Sequence, residues 1–294
     1  MYLRFVRLLN KELLDRKMDG AKKSNRLVFM RSGGIGDFLL TFPLFSAARN
    51  YYDELILFSK REYLPMVAET YPWIKSFDLD SDYSLIFKYA KQSHVISFWK
   101  DQDWKNDLIR NGAYDVKILD GRPSKPPHIV TQMFQSLGWK FSSENLQYPW
   151  LKDSWKMNNQ VLWIHPGSGS KNKNTDFQFF EQRARTWISK HVENKIIFSF
   201  GEADEKLNDQ ILNHRIFCDL RVECRVYKDL IRFKNDLIST AVRFLGNDSG
   251  PTHMSAMLGL PTEVYYRITD SKVWRPMGPR VEVYDFESEA SKIL

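Results

Sequence analysis

Three short segments of this 294-residue chain carry residue types spaced for chemistry. The first is Arg31-Ser32-Gly33-Gly34-Ile35-Gly36-Asp37, in which an apolar run gives way to glycines and one carboxylate. Gly33, Gly34 and Gly36 let the backbone approach a ligand, and the helix start that follows favours negative charge. Asp37 either caps its own helix or faces a cleft beyond the strand ends. The second segment is His165-Pro166-Gly167-Ser168-Gly169-Ser170-Lys171-Asn172-Lys173. The hydroxyls of Ser168 and Ser170, free N–H groups near Gly169, and Lys171 or Lys173 suit a diphosphate; the alternative is a solvated basic loop. The third is Gly246-Asn247-Asp248-Ser249-Gly250-Pro251-Thr252-His253. Pro251 fits the first turn of a helix, so Asp248, Ser249, Gly250 and Thr252 surround a second anion-favouring helix start. His253 stands in that first turn, as a ligand-facing group or as a satisfied buried histidine.

Each segment needs a strand before it and a helix after it, and the apolar pattern supplies both. Residues 27–30, 55–58, 95–98 and 116–119 form short apolar runs separated by polar or helical stretches, with a helix expected over 38–50. A second block repeats the pattern, with strands over 161–164, 196–200, 242–245 and 262–266 and helices over 177–191, 203–212 and 229–240. Alternating strands and helices imply parallel sheets covered on both faces. The expected organisation is a basic amphipathic helix over 1–25, one α/β unit over 26–150, and a second over 158–280. A linker falls within 145–159. Residues 281–294 close the chain as a strand or helix that stays with the second unit or crosses back to the first.

Composition agrees with two folded units of about 130–150 residues each. Hydrophobic residues make up 43% and charged residues 27%, which excludes a mainly disordered chain. The net charge of +7 favours anionic partners without naming them. Most of that excess lies in the first 26 residues, which hold eight bases and three acids. There Tyr2, Phe5, Val6, Leu9 and Leu13 recur at helical spacing. Such a helix either packs on its own domain or lies on an anionic membrane surface. No run is long enough to span a membrane, and the N-terminus lacks the apolar core of a signal peptide, so a cytoplasmic location is expected. Cys218 and Cys224 are the chain's two cysteines and read as reduced thiols.

Several chemistries find no support. The dinucleotide fingerprint wants a glycine where Leu39 stands, and the P-loop Lys-Ser/Thr pair is missing. Asp78, Asp80 and Asp82 alternate like calcium ligands, but Tyr83 and Tyr89 occupy the positions that need Gly and Glu. No nucleophile elbow or zinc helix occurs, and no metal site is expected.

Taken together, Ser32 to Asp37 with Thr41-Phe42-Pro43, His165 to Ser168, and Asn247 to His253 with Gly259-Leu260-Pro261-Thr262 resemble glycosyltransferase family 9, the ADP-heptose:lipopolysaccharide heptosyltransferases. Trp274-Arg275-Pro276-Met277-Gly278 is similar to a segment that follows the last motif. The resemblance implies the GT-B fold, two Rossmann-like domains facing across a cleft. It implies metal-free, inverting transfer of a heptose or similar sugar from an ADP-sugar such as ADP-heptose to a lipopolysaccharide core or related lipid-linked glycan, with no other cofactor and no nucleic-acid partner. The alternatives are another nucleotide-sugar-dependent GT-B enzyme with a different donor, and a non-catalytic nucleotide-binding member of the family. Asp37 matches the family's general base, and Lys171 or Lys173 its phosphate-binding lysine. Ser168, Asp248, Ser249, Gly250, Thr252 and His253 match the donor loops. The ribose-binding acid falls among Glu202, Asp204 and Glu205. Lys60, Arg61, Lys100, Lys105, Arg122 and Lys125 either meet an anionic acceptor or are ordinary surface.

Overall fold

The computed structural model describes residues 25–141, Trp150 and 160–286. The expected N-terminal helix and nearly all of the expected linker lie outside the described residues. Among the described residues no helix is long and apolar enough to cross a membrane.

Two parallel sheets organise the chain. In the first, β1 (Arg26–Arg31), β2 (Glu54–Ser59), β3 (Lys75–Asp78), β4 (His94–Ser97) and β5 (Asp115–Ile118) lie in the order β3-β2-β1-β4-β5. In the second, β6 (Val161–His165), β7 (Lys195–Gly201), β8 (Val222–Tyr227), β9 (Ala241–Asn247), β10 (Thr262–Tyr266) and β11 (Val281–Asp285) lie in the order β11-β10-β9-β6-β7-β8. Counted within its own lobe, the second order is the Rossmann arrangement, and the first is that arrangement one strand short. β11 pairs in parallel with β10, so the closing strand stays with the second sheet.

The interior strands form because their residues can be buried on both faces. Leu27, Val28 and Phe29 of β1, and Ile196, Phe198 and Phe200 of β7, are at most 1% exposed. Each such large apolar side chain contributes about 1.5–3 kcal/mol through burial. The expected helix over 38–50 is instead two: α1 (Ile35–Leu39) and α2 (Phe42–Ala48). Pro43 has no N–H to continue the ladder, and the Thr41 hydroxyl donates to the Phe38 carbonyl at the break, 2.6 Å away. Strands β3 and β8 lie outside the expected set. Both are edge strands whose outward side chains are polar.

Other helices matter for how the lobes meet: α3 (Leu64–Thr70), α6 (Ile129–Leu137), α7 (Phe177–Lys190), α9 (Leu230–Thr240) and α10 (Gly250–Met257), with α4 (Leu85–Ala90), α5 (Gln102–Arg110), α8 (Glu205–Ile211) and α11 (Ser271–Trp274) completing the set. Lys234 of α9, only 2% exposed, reaches Glu69 of α3 at 2.5 Å and lies over the Trp150 ring. Trp150 in turn donates to the Thr70 hydroxyl and packs edge-on against Phe42. The His128 side chain caps α6, accepting from the Val130 N–H through Nδ1. Its Nε2 must then be the protonated nitrogen, donating to the Arg275 carbonyl of the other lobe at 2.8 Å.

His128 gives the lobe contact a pH dependence of defined sign. Burial first, with His253 and Arg275 adding, holds its proton affinity below that of an ordinary histidine, against the opposing Arg275 carbonyl bond. The unfolded chain therefore takes up a proton that the folded chain refuses, and stability falls as pH drops below about 6.5. We expect His128→Asn, which keeps a capping acceptor, to unfold thermally with a shallower loss between neutral and acidic pH than the parent protein. Equal slopes would show that His128 plays no such part.

Candidate active site

In open parallel sheets the ligand site lies beyond the strands' carboxyl ends where the strand order reverses. In the first lobe that point lies between β1 and β4, and in the second between β6 and β9. The glycine turn after β1 and the loops after β6 and β9 are the three segments singled out above. The fold therefore brings the motifs to the two places where such a sheet binds ligands.

The lobes touch at these turns. A Cβ added to Gly250 would lie 1.9 Å from Ile35 Cγ2 and 3.3 Å from the Gly36 nitrogen. A Cβ on Gly36 would lie 3.0 Å from His253 Cδ2. The starts of α1 and α10 thus meet through two glycines, and a methyl at Gly250 would wedge against the stiff, β-branched Ile35. Gly33 makes room within its own lobe, since a Cβ there would lie 2.8 Å from Asp37 Oδ2 and 3.3 Å from Arg31 Cζ. Of the three expected ligand-approaching glycines, only Gly34, exposed and with nothing within 4 Å of an added Cβ, is open to a ligand in that way.

Asp37 is the third residue of α1, whose N-cap is Gly34, so it does not occupy the capping position. Its side chain is 31% exposed, with Arg31 Nη2 3.7 Å from Oδ2. The turn is pinned by Tyr63, whose hydroxyl donates to the Gly33 carbonyl at 3.1 Å and whose ring stacks on Phe38. Trp99, after β4, donates to the Ser32 hydroxyl.

Across the contact, Lys173 Nζ donates to Asp248 Oδ2 at 2.7 Å, and His253 Nε2 lies 3.6 Å from Asp248 Oδ1. Burial alone would raise the Asp248 carboxyl, but His253 and Lys173 outweigh it and hold the group at about 2. His253 is buried, and its Nδ1 has no partner among the described residues. Lys171 and Ser170, by contrast, are exposed, as is Gly169. Ser168 is turned into its own loop, its Oγ against the Ser170 carbonyl and Asn174 Oδ1. Asn247 ties the two second-lobe loops together, donating to the Pro166 carbonyl and accepting from the Thr175 N–H. Thr252 donates to the Asn247 carbonyl, and its Oγ1 lies 3.0 Å from Ser249 Oγ. Ser249 is the N-cap of α10, yet its hydroxyl caps no N–H.

Of the three acids after β7, Glu202 is exposed, and the Glu205 side chain lies outside the described residues. Asp204 is buried and committed: Oδ2 accepts from the Gly201 N–H at 3.0 Å and sits 3.4 Å from His165 Nε2. His165 Nδ1 meets Ser199 Oγ at 3.2 Å. This buried Ser199–His165–Asp204 chain looks like a hydrolase triad, but Ser199 is 0% exposed and no substrate could reach it. It braces the loop after β6, because a Cβ on Gly167 would strike Asp204 Oδ1 at 2.1 Å. The Trp274–Gly278 segment is likewise a brace: Gly278 lies under α10, with room for no Cβ beside the Ala256 carbonyl.

Sequence reasoning missed Arg31, Tyr63 and His128 as parts of the site's frame. Only Arg31 stood within a quoted motif, and nothing in its spacing revealed its contact with Asp37.

Two Rossmann-ordered lobes whose ligand-binding ends face each other define the GT-B class of glycosyltransferases. A family model described as glycosyltransferase family 9 (heptosyltransferase) matches residues 139–293. That is more than half of the chain, and the chain belongs to this family and is a glycosyltransferase. Among solved structures, glycosyl transferase family 9 from Veillonella parvula DSM 2008 is similar with a TM-score of 0.67 at 15% identity, over 94% of this chain and 92% of that one. Heptosyltransferase WaaC of E. coli, solved with ADP, gives 0.63 at 13% identity over 88% and 93%. ADP-heptose lps heptosyltransferase II of E. coli gives 0.61 at 14% identity over 88% and 89%. At these identities the likeness is one of fold. No curated protein matches the chain in sequence.

Proposed function

We propose that the protein moves a heptose from ADP-heptose to a hydroxyl of a lipopolysaccharide core or related anionic glycan, with inversion and without a metal. The observation that carries this reading is the placement of Asp37, a partly exposed carboxylate on a turn that touches the donor-loop helix start at Gly250 and His253. The acceptor hydroxyl gives its proton to Asp37 as its oxygen bonds to the anomeric carbon. The bond from that carbon to the diphosphate breaks, and ADP leaves with the charge. Lys173, held by Asp248, and the N–H groups at the start of α10 receive that charge. With the base on one lobe and the phosphate groups on the other, attack comes from the face opposite the leaving group, which inverts the centre.

The donor reading draws on family membership and on a neighbour, E. coli WaaC, solved with ADP and with ADP-2-deoxy-2-fluoro heptose. For the acceptor, Lys60, Arg61 and Lys100 lie on the first lobe but face Glu62, Asp78 and Asp120. Arg122 and Lys125 are exposed with no carboxylate within 4 Å among the described residues and are the better candidates for an anionic group. The metal-free reading rests on Lys173 and the start of α10, which offer positive charge where a bound cation would otherwise meet the leaving diphosphate. A peripheral contact of the basic N-terminal segment with an anionic membrane remains part of this proposal.

The test is nucleotide release in the presence of a chelator. We expect ADP from ADP-heptose with the chelator making no difference. Preferential release of UDP from a UDP-sugar would replace this donor, and loss of activity restored by a divalent cation would overturn the metal-free step.

A further inference from the structure

We infer that Arg31 is the positioning residue of the Asp37 base, acting through the carboxylate rather than on the substrate; this rests on the reading of Asp37 given above. Arg31 ends β1 at the point where the strand order reverses, and it is 4% exposed. A guanidinium is costly to bury unless something compensates it. Here the compensation is partial. Its Cζ lies 4.0 Å from the centre of the Phe98 ring, and its Nε is buried without a partner. Asp37 is the one carboxylate within 4 Å of it among the described residues. Burial lowers the proton affinity of Arg31, with Asp37 opposing and Arg122 adding to the fall.

Such a placement is poor design for stability, because the single counter-ion is partly in water. It suits orientation. The surroundings leave the guanidinium little room to turn: Gly121 permits Nη1 where a Cβ would stand 2.8 Å away, and the Phe98 ring covers the planar face. Gly33, lacking a side chain, lets Asp37 Oδ2 and the guanidinium come together. With Oδ2 drawn toward Arg31, Oδ1 is presented to the acceptor hydroxyl and takes its proton. The titratable groups facing the carboxylate are then Arg31 from β1, with Tyr63 and Arg122 beyond it and His253 against the adjoining Gly36.

The experiment compares sugar transfer, donor hydrolysis without acceptor, and donor affinity in Arg31→Gln, Arg31→Lys, Gly33→Ala and Asp37→Asn. A carboxylate displaced by about 1 Å loses about 100-fold in rate, so Arg31→Gln should lose transfer on that scale through kcat, with donor KM unchanged. At 3.7 Å the pair is a single charge contact, which Arg31→Lys keeps, but the planar face against Phe98 is lost, so this variant should recover part of the loss and not all of it. Gly33→Ala keeps both charges yet wedges them apart, and it should also lower kcat without weakening the donor; this variant decides the matter should Arg31→Gln not fold. Wild-type transfer in Gly33→Ala, or Arg31→Lys as impaired as Arg31→Gln, overturns the inference. Undiminished transfer in Asp37→Asn would instead remove the base itself, whereas an inactive Asp37→Asn beside fully active Arg31→Gln and Gly33→Ala would sink only the positioning role.

Discussion

Asp37→Asn is expected to bind the nucleotide-sugar donor as the parent protein does and to transfer almost none of its sugar. Asparagine matches the carboxylate in shape but cannot accept the hydroxyl proton, and loss of a general base lowers a rate by about 10²–10⁴. The structure narrows what else the substitution could do. Asp37 is not the N-cap of α1, so no helix end is undone. Lys173, Asp248, Ser249 and His253 are all on the other lobe, so the groups proposed to hold the donor are untouched. Arg31 does lose its counter-ion, and some stability should go with it, but Asp37 is 31% exposed and water softens that loss. The measurement is donor affinity by calorimetry beside transfer rate with saturating acceptor. A variant that binds donor and transfers at the parent rate would leave the protein a glycosyltransferase in need of a different base.

How much of this was legible in the residues follows from burial. β1, β2, β4, β6, β7, β9 and β10 were readable as mainly apolar runs because interior parallel strands are covered on both faces, and the edge strand β5 was readable from Val116, Ile118 and the adjoining Leu119. β3, with Lys75-Ser76-Phe77-Asp78, and β8, with Val222-Glu223-Cys224-Arg225-Val226-Tyr227, are edges, and their outward polar side chains dilute the pattern. The break between α1 and α2 was also readable in principle, since Pro43 cannot donate within a helix.

The glycines show the limit of such reading. Spacing marked Gly33, Gly36 and Gly250 as backbone open to a ligand, yet each is filled by protein: the Arg31–Asp37 pair, the His253 ring and the Ile35 side chain. A missing side chain says that something comes close without saying what. Asp204 fails in the same way. Its place after β7 fits a ribose-binding acid, but its partners are His165, 39 positions earlier in the chain, and the Gly201 N–H. Roles set by partners distant in sequence cannot be seen in local spacing.

The lysines after β6 offer the second large effect. Spacing could not choose between Lys171 and Lys173, but their surroundings differ. Lys171 is exposed, while Lys173 is anchored on Asp248 at 2.7 Å with its own side chain 33% exposed. An ammonium has three N–H groups, so one bond to Asp248 leaves donors for a diphosphate oxygen. Lys173→Ala removes that contact and does further harm. Asp248, 7% exposed, would keep only His253 against its charge, and burial would push its carboxyl upward from about 2. While ionised, it would repel an arriving diphosphate. Loss of a group that stabilises developing negative charge lowers kcat by about 10²–10³, and Lys173→Ala should reach that range with donor affinity falling as well. Lys171→Ala should change both far less, because it frees no buried charge. Comparing donor affinity and kcat/KM for the two variants decides between them: a greater loss in Lys171→Ala would show that the Lys173–Asp248 pair only holds the loop, and the leaving phosphate would then be met by the exposed lysine and the start of α10.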